Sequence, residues 1–93
     1  MKNKRDFTDP QYEAFRKRVR ARDSHTCQFP GCSTTKRLHV HHIIPWAKSP
    51  ILRYVDTNGI TLCSHHHKLV SKHEEHYQAL FTGIVYRNKN KNG

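Results

Sequence analysis

The sequence predicts a small α+β domain: an N-terminal basic helix, short strands and a second helix, held by a structural metal more than by a large core. Three observations lead there. The chain has 93 residues and is 34% hydrophobic, where globular domains average roughly 45–50%; so small and thin a core needs a metal, disulfides or a partner. Its three cysteines are an odd number, which argues against a closed disulfide framework and for thiolate ligands in a reducing compartment. Finally, apolar spacing changes from helical at Tyr12, Phe15 and Val19 to alternating at Leu38, Val40 and His42.

Charge narrows the partners. Seventeen Lys and Arg against seven Asp and Glu give a net charge of +10, which points to a polyanion, most often nucleic acid. An anionic membrane surface would want a long apolar face beside the charge, and no stretch supplies one. Neither a membrane span nor the apolar core of a signal peptide is visible, so an intracellular location is expected.

Residues 1–8 are polar and are expected to be flexible. A helix begins at Asp9-Pro10, where Asp9 or Thr8 can cap it and Pro10 suits the first turn. Arg16, Lys17, Arg18, Arg20 and Arg22 crowd the circumference left by its apolar stripe. Five cations so close repel one another unless an anion meets them, so phosphate contact is expected on this helix. Cys27–Leu62 holds short strands and a loop. C-Q-F-P-G-C carries a Pro-Gly turn, Leu38–His42 alternates as a strand, and Pro45 ends it. A loop follows to the turn signal Asn58-Gly59, then a short strand at Ile60–Leu62. A second helix is expected from Ser64 through about Phe81, packed through Leu69, Val70, Tyr77, Leu80 and Phe81. The polar run 88–93 is expected to be disordered, leaving a single domain over 9–87.

Cys27 and Cys32 flank a turn with four residues between them, close to the knuckle spacing of zinc sites. Cys63 lies at the start of the last helix, followed by His65, His66 and His67. A Cys3His set of Cys27, Cys32, Cys63 and one of these histidines would close a structural Zn²⁺ site. Spacing alone admits His65; the shared face of positions i and i+3 on a helix favours His66.

C-x4-C, then L-H-V-H-H-I-I-P, then T-N-G-I-T-L-C, then H-H-K, preceded by A-R-D-S-H-T-C, resembles the zinc-bearing HNH endonucleases. The resemblance spans roughly Tyr12 to His73 and implies the ββα-metal, treble-clef-like fold. It implies that His41 and His67 hold a catalytic divalent ion, that His42 is the general base, and that Asn58 fixes the loop and orients that base. Many relatives have aspartate at the place of His41, and a cysteine is commoner at that of His66. Strand alternation agrees with a division of labour, since His41 and His42 must point to opposite faces. One can turn to meet His67 while the other stands aside facing a phosphate.

The implied reaction is metal-dependent hydrolysis of DNA phosphodiesters, leaving 5′-phosphate and 3′-hydroxyl ends. Mg²⁺ or Mn²⁺ is usual, and an imidazole pair also suits Ni²⁺, Co²⁺ or Zn²⁺. The alternative is a zinc-stabilised nucleic-acid-binding module without catalysis, and a third class is an interaction adaptor on the same scaffold. No separate reading module is present, so contact mainly with the phosphate backbone is expected. Family members of this size resemble those encoded by bacteriophages beside packaging genes, which implies a packaging or other DNA-processing partner and the host cytoplasm. His39 shares the face of His41 and could border the site, and His73 is a weaker candidate for a third ligand or phosphate contact.

Overall fold

The computed structural model describes residues 7–92; most of the 1–8 segment expected to be loose lies outside these residues, as does Gly93. The order is α1 (Pro10–Arg22), β1 (Leu38–His42), two short 3-10 turns (Pro50–Leu52 and Asp56–Asn58), β2 (Gly59–Cys63), α2 (Ser64–Val70) and α3 (Glu74–Asn92). Strand, strand and helix in that order form a ββα-metal unit, flanked by α1 and α3. None of the described helices is long and apolar enough to cross a membrane.

Helix α1 begins where its capping chemistry places it. The Asp9 Oδ1 accepts the Gln11 N–H at 2.9 Å, with Pro10 in the first turn. It ends at Asp23, after which Ser24 and His25 take positive φ of 57° and 51° and turn the chain towards Cys27. Strands β1 and β2 pair antiparallel, Leu38 opposite Cys63, His41 opposite Ile60 and His42 opposite Gly59. One apolar layer joins Tyr12, Phe15, Val19, Val40 and Trp46 on the α1 side of the sheet. The larger layer gathers Ile43, Ile60, Leu62, Val70, Phe81, Ile84 and Val85.

Gly59 lets α1 seat against the backbone of β2. A Cβ there would stand 2.8 Å from Phe15 Cζ and 2.9 Å from Val19 Cγ2, closer than side-chain carbons come. Lack of a side chain, and not an unusual backbone angle, is what this position requires.

Three expectations are corrected. The second helix is not continuous: α2 stops at Val70, where Ser71 Oγ donates to the His67 carbonyl at 2.6 Å and the His73 N–H turns back to Val70. Such local side-chain bonds compete with helix continuation, and Glu74 and Glu75 then suit the positive start of α3. Secondly, the polar run from Asn88 is no disordered tail but the end of α3, helical to Asn92. Asn88 is buried, and its Nδ2 donates to Asp23 Oδ1 at 3.0 Å and Gln28 Oε1 at 2.8 Å. Composition hides one such buried amide in a charged run. The expected packing residues Leu69 and Leu80 are 46% and 43% exposed, while Ile84 and Val85, beyond the predicted helix end, are buried.

Gly59→Ala is therefore expected to lower stability by about 1–3 kcal/mol through overpacking against Phe15 and Val19; urea denaturation measures it.

Candidate metal centre and histidine site

The knuckle positions the first two sulfurs. Gly31 takes a φ of 86°, a value glycine reaches without strain, and the Cys32 N–H returns to the Phe29 carbonyl at 2.9 Å. At the junction of β2 and α2, Cys63 and His66 come from the other side. The four donor atoms of Cys27, Cys32, Cys63 and His66 all lie within 4.8 Å of one another. His66 Nδ1 is 3.4 Å from Cys63 Sγ and 3.8 Å from Cys27 Sγ. Bonds of about 2.3 Å to sulfur and about 2.0–2.1 Å to nitrogen, at tetrahedral angles, put such atoms about 3.5 Å apart, so the set fits one tetrahedral ion. His66, and not His65, completes it.

The surroundings tune these donors. Burial pushes the Cys27 thiol up to about 11, so in the metal-free chain it keeps its proton at neutral pH and binding must expel it. Hydrogen bonds from the Thr34 backbone and side chain draw Cys32 below the ordinary thiol value. Burial, with a smaller contribution from His65, lowers His66, keeping the neutral ring that a ligand needs. The His66 ring lies flat on Phe29, centroids 4.2 Å apart and planes within 4°. Phe29 was not singled out from the sequence, although its place inside C-Q-F-P-G-C is the signal that could have found it.

The two adjacent histidines of β1 go to opposite faces. His41 turns to the α2 side, its ring centre 5.7 Å from that of His67 and 5.8 Å from Phe81. His39, on the same face but exposed, stacks on His67 at 5.1 Å and has its Nε2 2.9 Å from Ser64 Oγ. His42 faces α1, packed against Phe15 at 5.2 Å and Trp46 at 5.5 Å, and only 4% exposed. Expected to stand aside facing a phosphate, it lies instead beneath α1, which Gly59 lets seat closely. Its Nε2 lies 2.9 Å from the Arg53 carbonyl; since a carbonyl only accepts, Nε2 carries the proton and Nδ1 is the acceptor of the neutral ring.

The loop from Ile43 to Asn58 supplies that carbonyl, and Asn58 fastens it. Asn58 Oδ1 accepts the Ile44 N–H at 2.8 Å, while Nδ2 donates to the carbonyls of Ile44 at 3.1 Å and Leu52 at 3.2 Å. Its own carbonyl accepts from Ile43 at 2.8 Å. Arg53 closes the loop further, donating to the Trp46 carbonyl at 2.8 Å with its guanidinium 4.4 Å above the indole.

The basic face of α1 is less uniform than its sequence. Arg22 is a correction: its side chain is 11% exposed, forks onto Asp23 and donates to the carbonyls of Asp56 and Gly59, so it faces the interior and not a phosphate. Arg18 pairs with Asp56 at 2.9 Å, and Arg16 lies over the rings of Tyr12 and Phe7. Lys17 is exposed and Arg20 half-buried. Elsewhere, Lys48, Lys72, His73 and His76, with Glu74 and Glu75, line an open groove of about 600 Å³. His25, His65 and His76 are exposed.

Residues 25–73, more than half of the chain, match the family described as HNH endonuclease. No curated protein and no solved structure matches the chain.

The chain is expected to retain one tightly held metal ion, measured by element analysis after desalting. Cys27→Ala should lose both that ion and the cooperative melting transition, because ligation is part of the folding free energy; His65→Ala should keep both.

Proposed function

This chain belongs to the HNH endonuclease family, and from that premise we propose that it is a metal-dependent DNA endonuclease that takes a proton from water through His42. The observation that carries this reading is the 2.9 Å bond from His42 Nε2 to the Arg53 carbonyl. It fixes the tautomer that leaves Nδ1 as acceptor, and an imidazole acceptor is the group that general-base work needs. Asn58 acts by position: it holds Leu52, next to Arg53, and so holds the oxygen that orients the base.

Imidazoles sharing one ion through nitrogens about 2.1 Å away have ring centres about 5–6 Å apart, and the 5.7 Å between His41 and His67 fits that. A divalent ion held there would supply Lewis-acid stabilisation of the phosphate and of the leaving oxygen. Mg²⁺ or Mn²⁺ is the family's usual choice, and an all-imidazole pair extends it to Ni²⁺, Co²⁺ or Zn²⁺. The Cys3His set is assigned to structural Zn²⁺, whose preferred donors these are. DNA is met at its backbone, with Arg16, Lys17 and Arg20 of α1 available for phosphate. The products are 5′-phosphate and 3′-hydroxyl ends.

The burial of His42 under Phe15 and Trp46 favours a second reading, a zinc-stabilised DNA-binding module in which this ring is packing. Plasmid nicking separates the two. The wild-type protein should nick with Mg²⁺ or Mn²⁺, and His42→Ala, folded and retaining one zinc, should be about 100-fold slower or worse. Binding without nicking by either protein, across all five metals, would leave only the module.

A further inference from the structure

The arginine that the sequence placed on the DNA face is built into the opposite role. We propose that Arg22 is a positioning residue for the reaction, setting the place of Asn58 and through it the orientation of His42. This rests on the endonuclease reading above. The guanidinium spans the segment that carries Asn58: Nη1 donates to the Asp56 carbonyl at 2.8 Å and Nη2 to the Gly59 carbonyl at 2.7 Å. Those two carbonyls bracket Asn58 on either side. The guanidinium is itself aimed by the Asp23 carboxylate, which takes Nε on Oδ1 and Nη2 on Oδ2, both at 2.8 Å.

Asp23 does not move freely, because its other contacts come from two further elements. Oδ2 accepts the Thr61 N–H of β2 at 2.9 Å, and Oδ1 accepts the Asn88 amide of α3 at 3.0 Å. The Asp23 side chain is fully buried. A planar fork reaching two carbonyls while held by a carboxylate uses the fixed donor geometry of arginine; the single ammonium of lysine cannot reproduce it. From Arg22 the path runs through the Asn58 backbone, then the Asn58 side chain on Leu52, then the neighbouring Arg53 carbonyl on His42 Nε2. Each link is a hydrogen bond or one or two residues of main chain.

Arg22→Lys keeps the charge and the buried aliphatic stem but breaks the fork. Plasmid nicking should then show kcat reduced about 10- to 100-fold, the scale on which small misplacements act, with KM and the salt dependence of binding unchanged. In Arg22→Ala, added methylguanidinium should restore part of the rate. The second readout needs no activity: in ¹⁵N spectra of the imidazoles, His42 should be the Nε2–H tautomer in the wild type and lose that preference in Arg22→Lys. A phosphate contact would instead raise KM, flatten the salt dependence and leave kcat and the His42 spectrum alone, overturning the proposal. An unchanged His42 tautomer overturns it too, whatever the rate. If the wild type nicks nothing, the endonuclease reading falls, and the imidazole spectra still decide whether Arg22 positions His42.

Discussion

Everything chemical in this domain depends on the register of a two-strand ladder. His41 opposite Ile60 and His42 opposite Gly59 is the pairing that sends one imidazole to α2 and its neighbour to α1. Because side chains alternate, a slip of one residue would exchange the two faces. Five residue pairs are a short ladder, and its ends are secured by other means. At one end Ser64 donates its N–H to the Arg37 carbonyl at 2.9 Å, next to the Cys3His cluster. At the other, Asn58 binds the chain just past β1 through Ile43 and Ile44. The Cys3His cluster and Asn58 thus bound the same strand pair.

The second theme is how a chain of net charge +10 uses its few acids. Asp23 and Asp56 both take arginines of α1, and Glu13 lies within 4 Å of Arg16 and Lys17. The exposed pairs contribute little to stability. Asp23 differs because it is buried and accepts from Arg22, Thr61 and Asn88 together, joining α1, β2 and α3 where the apolar layers are thin. Removing one partner of such a set leaves a desolvated charge unsatisfied, which costs more than the bond contributes.

The elements legible in the sequence were those with local causes. Asp9-Pro10 announces a cap, alternation announces β1, and the cysteine spacing announces the knuckle; the choice of His66 over His65 beside Cys63 follows from helical spacing. What stayed hidden was set by tertiary contact. The five cations of α1 look alike in sequence, and only the fold shows Arg22 turned inward to Asp23. The run N-K-N-K-N has the composition of a tail, and only the position of Asp23 explains why Asn88 keeps it helical. His42 was legible as the partner of opposite facing, but its depth depends on Gly59 admitting α1, a contact between residues forty apart.

The group that orients His42 is a main-chain oxygen, and that separates two kinds of change in the loop. Replacing the side chain at position 53 leaves a carbonyl at the same place in the chain, so the identity of that residue is free to answer to other demands, such as its stacking on Trp46. Inserting or deleting a single residue between Ile43 and Asn58 would carry the oxygen away from the ring even if every named side chain survived. For the acceptor at position 53, the loop's length matters more than the side chain there.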